Sequence, residues 1–145
     1  KYKNFDFCSL DYKEFCVNLG LPNKEFQYLN FNSFKKLKND FYKKFKKNKT
    51  IIVITLGKNG SVVFNKHFLF HCPVFISYAV DTTGCGDMFF MVFSLLIKNK
   101  TPIQLSQFIA TAYAGLHSLF IGNKKVVEKI ELIKYLNFLY KLWLI

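Results

Sequence analysis

Four consecutive apolar residues, Ile51, Ile52, Val53 and Ile54, stand out along the chain because nothing polar interrupts them. A strand with one wet face alternates apolar and polar residues, so an unbroken run predicts a strand covered on both faces, the habit of a parallel sheet flanked by helices. Upstream, Phe34, Leu37, Phe41 and Phe45 recur at three- and four-residue spacing. Lys35, Lys36, Lys38, Lys43 and Lys44 occupy the other face, which predicts an amphipathic helix over 31–45. A short strand is expected around 5–8 and a helix from Asp11 to about residue 18. Asp11 can accept from the free N–H groups of that helix's first turn, and Glu14 three residues later completes a capping box. Gly20, Leu21 and Pro22 then stop the helix.

After the apolar run, Gly57 and Gly60 bracket a tight turn, and 61–64 with 67–70 read as a hairpin joined through Asn65 and Lys66. An extended stretch over 74–80 leads into a glycine-rich segment, 81–87, and then a strongly apolar helix over about 85–98. Thr101 and Pro102 suit the cap and first residue of a further helix over 103–120. A last amphipathic helix, about 126–142, is expected to carry Ile130, Ile133, Leu136 and Leu139 inward. No internal repeat and no long linker interrupts this order, which is that of an α/β fold.

Composition bounds the reading. A chain of 145 residues with 51% hydrophobic and 19% aromatic content can bury a core, so it fits one domain or part of one and is not a disordered tail. No apolar run approaches the ~18 residues of a membrane helix. The net charge of +12 would ordinarily suggest nucleic acid or acidic lipid. All of its basic residues are Lys, however, whereas base-edge and bidentate phosphate recognition favour Arg. A solvated helix face is therefore the preferred reading of the lysines. Abundant Lys, Asn, Phe and Ile beside few Ala also fits AT-rich coding. Cys8, Cys16, Cys72 and Cys85 are too few and too irregular for a disulfide scaffold and form no CxxC pair, so a reducing cytoplasm is expected. The chain opens on Lys1 and lacks a signal-peptide pattern in its first 15 residues, and it reads as a piece of something longer. His67, His71 and His117 have no metal-ligand spacing and are read as surface or packing residues. Tyr135, Phe138, Tyr140 and Trp143 are read as packing near the end.

The segment Asp81-Thr82-Thr83-Gly84-Cys85-Gly86-Asp87 is where chemistry is expected. Unpaired N–H groups and the positive end of the dipole make a helix start an anion site, and glycines let a phosphate approach the backbone. Asp87 beside such an anion is costly for binding alone. It makes sense if the carboxylate takes a proton from an attacking hydroxyl during phosphoryl transfer. A plain glycine-rich turn, with Asp87 favoured by the dipole, is the alternative. A nucleophilic Cys85 ranks below the anion hole, because Asp87 would oppose thiolate formation and no His is near in sequence.

DTTGCGDMF resembles the DTxGAGDxF signature of the ribokinase-like, or PfkB, carbohydrate kinases. Thr55-Leu56-Gly57-Lys58-Asn59-Gly60-Ser61 looks like that family's TxGxxG segment, and Asp11-Tyr12-Lys13-Glu14 resembles its NxxE motif with Asp in place of Asn. The three occur in the family's order. They cover the C-terminal, nucleotide-binding part of a typical member, with the N-terminal sugar-binding half and lid outside the chain.

This resemblance implies a ribokinase-like α/β/α fold with a mostly parallel sheet, and ATP-dependent phosphorylation of a sugar or sugar phosphate. It implies that Asp87 is the general base and that Gly84, Cys85 and Gly86 form the anion hole. Asp81 joins Asp87 on the acceptor side. Thr55, Gly57 and Gly60 would serve the nucleotide phosphates, and Asp11 and Glu14 would organise Mg2+ and its waters, with a monovalent cation as a further cofactor. Thr111, Ala112 and Gly115 are candidates for the adenine pocket, although small residues could equally permit close helix packing. Cys85 stands where Ala is usual, Met91 and Val92 where small residues are usual, and Thr111 where many members carry Asn. A finer resemblance, to the heptose-phosphate kinase branch, rests on His71-Cys72-Pro73 and Ile121-Gly122-Asn123-Lys124. That branch includes proteins with a fused sugar nucleotidyltransferase domain, which is an expected association here; a homodimer is a separate expectation, and neither a nucleic-acid nor a membrane partner is expected. The isolated chain is expected to be inactive. The rival readings are a nucleotide-binding scaffold without turnover and a basic nucleic-acid-binding domain.

Overall fold

The computed structural model describes residues 7–21, 31–45, 50–122 and 124–143. The elements run β1 (Phe7–Asp11), α1 (Tyr12–Leu19), α2 (Phe31–Phe45), β2 (Ile51–Thr55), a 3-10 turn (Gly57–Asn59), β3 (Ser61–Phe64), β4 (Leu69–Cys72), α3 (Cys85–Lys98), α4 (Ile103–His117) and α5 (Lys129–Trp143). The chain divides into two compact units, 1–71 and 72–145.

The first unit is built on a sheet of order β1-β2-β3-β4. β1 runs parallel to β2, with Phe7 opposite Ile51 and Asp11 opposite Thr55, and β2 runs antiparallel to β3. In this portion of the fold the sheet is mixed, because the tight turn between β2 and β3 can only return the chain antiparallel. Ile52, Ile54, Val62 and Phe64 face a cluster with Phe15, Phe34, Leu37 and Phe41. Val53 and Val63, alternating onto the opposite face, are also fully buried, which is why the apolar run shows no alternation. Phe15 sits at the centre, its ring 6.0 Å from Phe41 and 6.1 Å from Phe64.

Local chemistry sets the boundaries. α1 opens on the expected capping box: Glu14 N–H donates to Asp11 Oδ1 at 2.7 Å, and Asp11 N–H donates to Glu14 Oε2 at 2.9 Å. Gly20 closes the helix in the left-handed region, at φ 72°. The expected strand at 67–70 lies two residues later, at 69–72. Asn65 Oδ1 accepts from both His67 and Phe68 N–H, at 2.7 and 3.0 Å, and this lengthens the turn. The first strand extends to Asp11, beyond the expected 8, and residues 5 and 6, like Pro22, lie outside the described residues.

In the second unit α3 buries Phe89 and Phe93 and leaves Phe90, Met91 and Leu95 exposed. The stretch 74–80, expected to be extended, forms no strand. α4 ends at His117 rather than 120, because Leu119 and Phe120 N–H bond three residues back, to Leu116 and His117, in tightened turns. In α5 the inward face differs from the one expected. Ile130 and Ile133 are exposed, and Leu132, Tyr135, Leu136 and Leu139 form the half-buried stripe. The Tyr135 hydroxyl donates to Phe75 O at 2.9 Å, and this bond selects the face. Phe138 and Tyr140, read as packing residues, are exposed, and the side chain of Trp143 lies outside the described set.

Truncating Phe15 leaves a ring-sized cavity that the flanking Phe41 and Phe64 cannot fill. Phe15→Ala is expected to lower the stability of the first unit by about 3–5 kcal/mol, and Phe15→Leu by less than half of that. Urea unfolding of the full-length protein checks this.

Candidate active site

In the first unit, the parallel register places Asp11 beside Thr55 at the C-terminal ends of β1 and β2. Ligands of open α/β sheets bind at this end of the strands. Immediately beyond Thr55 the chain turns through Gly57 and Gly60, both at positive φ, 54° and 88°. Leu56 N–H donates to Gly60 O at 2.8 Å and Gly60 N–H to Gly57 O at 3.0 Å, so the turn is closed by its own backbone. A Cβ at Gly57 would meet only open space; glycine is required there by its φ. The capping box uses one oxygen of Asp11 and one of Glu14, and both side chains are exposed. Among the described residues no three His, Cys, Asp or Glu side chains converge to hold a metal ion. A direct protein cage for magnesium is thus not formed by the described residues.

In the second unit, Gly84 stands at the N-cap of α3 with φ 77°, and it has no side chain with which to cap the helix. The bonds at this end are Cys85 N–H to Thr82 O at 3.2 Å and Met88 N–H to Gly84 O at 2.9 Å. The N–H groups of Gly86 and Asp87 find no acceptor among the described residues. Space around Gly86 is open, with nothing within 4 Å of a Cβ built there. Unclaimed donors, open space and the positive end of α3 together fit a phosphate group. Asp87 lies exposed in the first turn of this helix. Met91, whose bulk departs from the family pattern, points out of the unit.

The surroundings of Cys85 oppose thiolate formation. Burial first, and then the charge of Asp81, push its thiol above the ordinary range. Asp81 itself is committed within the chain: Oδ1 accepts from Thr83 N–H at 2.9 Å and Oδ2 from Gly122 N–H at 2.8 Å. Thr111 and Ala112, considered for adenine, are 5% and 1% exposed and offer a base almost no surface. A Cβ on Gly115 would stand 2.9 Å from Ile76 Cγ1. Close packing is the reading of these three residues that the geometry accounts for. His117 is buried, and neither ring nitrogen has a hydrogen-bond partner among the described residues. Its interaction with Asp81 was not readable from sequence spacing, which separates the two by 36 positions.

Two outcomes follow. Gly115→Ala is expected to destabilise the second unit by about 1–3 kcal/mol, and Ile76→Ala in the same chain should recover part of that loss, as measured by thermal unfolding. The second outcome concerns pH. The bonds from Thr83, backbone first and then side chain, and then that from Gly122 N–H hold the Asp81 carboxyl below the ordinary carboxylate range. Its folded value lies below its unfolded one. The stabilisation is therefore present above the unfolded value, about 3.9, and is lost as pH falls through the folded one. Carboxyl-carbon NMR should give Asp81 a midpoint below 3.9, and the Gly122 amide should lose exchange protection over the same acid range.

The ribokinase of Thermotoga maritima superposes with a TM-score of 0.72 at 23% identity, covering 91% of this chain and 42% of its own. The Arabidopsis thaliana ribokinase complexed with ribose and ATP gives 0.75 at 21% identity, covering 90% and 40%. Phosphofructokinase-2 from Escherichia coli, in complex with potassium, gives 0.76 at 14% identity, covering 94% and 42%. At such identities the likeness shows the fold, and the chain spans about two fifths of the length of these proteins. No curated protein matches the sequence. Residues 30–118, more than half of the chain and including both the Thr55–Gly60 turn and the start of α3, match the pfkB family carbohydrate kinases, and the chain belongs to that family.

Proposed function

We propose that the full-length protein transfers the terminal phosphoryl group of ATP to a hydroxyl of a sugar or sugar phosphate. The observation that carries this is the start of α3, where two unclaimed N–H groups adjoin an exposed carboxylate. Gly86 and Asp87 N–H would donate to oxygens of the transferring group, with Gly84 and Cys85 shaping the loop. Asp87 accepts the proton of the acceptor hydroxyl as that oxygen bonds to phosphorus and the bond to the ADP oxygen breaks. Thr55, Gly57 and Gly60 serve the nucleotide phosphates in this reading. In this reading Asp11 and Glu14 would organise magnesium and its waters, and the ion would supply charge neutralisation.

The acceptor we favour is a sugar phosphate of the heptose class, on the strength of His71-Cys72-Pro73 and the 121–124 segment, of which Asn123 lies outside the described residues. A paired subunit, an attached nucleotidyltransferase domain and a monovalent cation belong to the same reading. The four cysteines are free, which suits a reducing cytoplasm. No helix among the described residues is long and apolar enough to cross a membrane. The chain alone is proposed to be inactive, since phosphoryl transfer needs an oriented acceptor and shielding from water that this portion does not supply.

Asp87→Asn in the full-length protein is expected to lower kcat by about 10²–10⁴-fold and to leave ATP binding within about threefold. Turnover against hexoses, heptoses and their phosphates, alongside ATP titration, checks both. Equal turnover by the variant would remove Asp87 from the role of base.

A further inference from the structure

We infer that His71 is a positioning residue for the nucleotide, whose ring N–H pins the Asn59–Gly60 peptide and through it the turn that follows β2. The inference deepens the kinase reading and rests on it for its consequence for ATP. Three backbone bonds close that turn: Asn59 N–H to Leu56 O at 3.1 Å, Gly60 N–H to Gly57 O at 3.0 Å and Leu56 N–H to Gly60 O at 2.8 Å. None of them occupies Asn59 O. That carbonyl accepts instead from Nε2 of His71 at 2.9 Å, across 12 positions of chain. A carbonyl can only accept, so the proton of the neutral ring sits on Nε2.

The peptide between Asn59 and Gly60 is trans, so its C=O and N–H point to opposite sides. Gly57 O holds the N–H side and His71 holds the carbonyl side. This double hold matters at Gly60, whose φ of 88° and ψ of −130° only glycine adopts without strain, because with no Cβ a peptide held on one side could turn over. Phe34 gives the imidazole its seat. The two rings stack at 5.8 Å with 21° between their planes, Phe34 being buried and His71 exposed. One helical turn on, Lys38 Nζ donates to Phe68 O at 3.4 Å, so α2 braces β4 and its approach at two points. Gly57 and Lys58 remain exposed on the turn, where nucleotide phosphates would meet it. Water competes for a bond on an exposed ring, which makes the expected effect moderate.

Two substitutions separate the donor from the ring. His71→Phe keeps a ring on Phe34 and has no donor, whereas His71→Gln gives up the ring and carries an amide N–H at about the reach of Nε2. In the full-length protein, His71→Phe is expected to raise the KM and the Kd for ATP about three- to tenfold, with kcat and the acceptor KM within about twofold. Hydrogen exchange at the Gly60 amide, on the far side of the same peptide, should quicken about threefold or more. His71→Gln should restore both the ATP affinity and the Gly60 protection to within about twofold. Should His71→Phe precipitate, His71→Leu removes the same donor and gives the same comparison. Unchanged Gly60 exchange in the variant without a donor overturns the inference. So does a His71→Gln protein as impaired as His71→Phe, since the ring and not the donor would then matter. Faster exchange with unchanged ATP affinity overturns the part that concerns the nucleotide. Absence of turnover in the unsubstituted protein overturns the kinase reading, and ATP titration with Gly60 exchange still decides the role of His71.

Discussion

A helix start can satisfy its own donors or leave them open, and α1 and α3 show the two cases. At α1, Asp11 and Glu14 reach across the first turn and occupy each other's backbone N–H groups. At α3 the corresponding position is Gly84, which has no side chain to offer and whose φ of 77° would strain any residue that did. No side chain at Gly84 reaches the N–H groups of Gly86 and Asp87, and everything proposed for the site depends on their being open.

Two further constraints hold the surroundings in place. In the first unit, Ile52 and Ile54 are buried on one face of the sheet and Val53 on the other, so a one-residue slip of β2 would still bury apolar groups on both faces. Burial alone therefore does not fix the register of β1 on β2. The capping box at Asp11 and the turn beginning beyond Thr55 do so, because each ends its strand at a defined residue. The pairing of Asp11 with Thr55 follows from these two terminations. In the second unit, α4 approaches the 74–80 stretch closely enough that Gly115 has no room for a methyl group beside Ile76.

Much of this was legible in the sequence where a single local signal dominates. The lysine and phenylalanine spacing predicts α2, and the capping box and Gly20 bound α1. The apolar run at 51–54 reads as the buried strand it is. Legibility failed where a distant or competing partner decides. Asn65 can take two amide donors at once, which lengthens a hairpin turn that a two-residue count would make tight. α5 has apolar residues on nearly every side, so its inward face is chosen by the hydroxyl of Tyr135 and the carbonyl of Phe75, 60 positions away. Asp81 was readable as part of a motif, but its partner Gly122 was not.

Asp87 poses the sharpest electrostatic question. A carboxylate in the first turn of a helix gains about 0.3–1 kcal/mol from the dipole. A phosphate bound at the same turn would lie within a few ångströms of it, and two unit charges about 4 Å apart repel by about 1 kcal/mol in water and about 4 kcal/mol near a protein surface. Repulsion of that size outweighs the dipole term, so a site shaped only to hold phosphate is better served by a neutral residue at this position. A carboxylate becomes useful when a hydroxyl is brought between it and the phosphate. It would then accept the proton as the oxygen gains its bond to phosphorus and the bond to the leaving oxygen breaks, and its charge would be neutralised as negative charge shifts onto the transferred group. On this argument the acid is unfavourable for resting nucleotide and favourable for transfer, and that difference is what a kinase requires of its base.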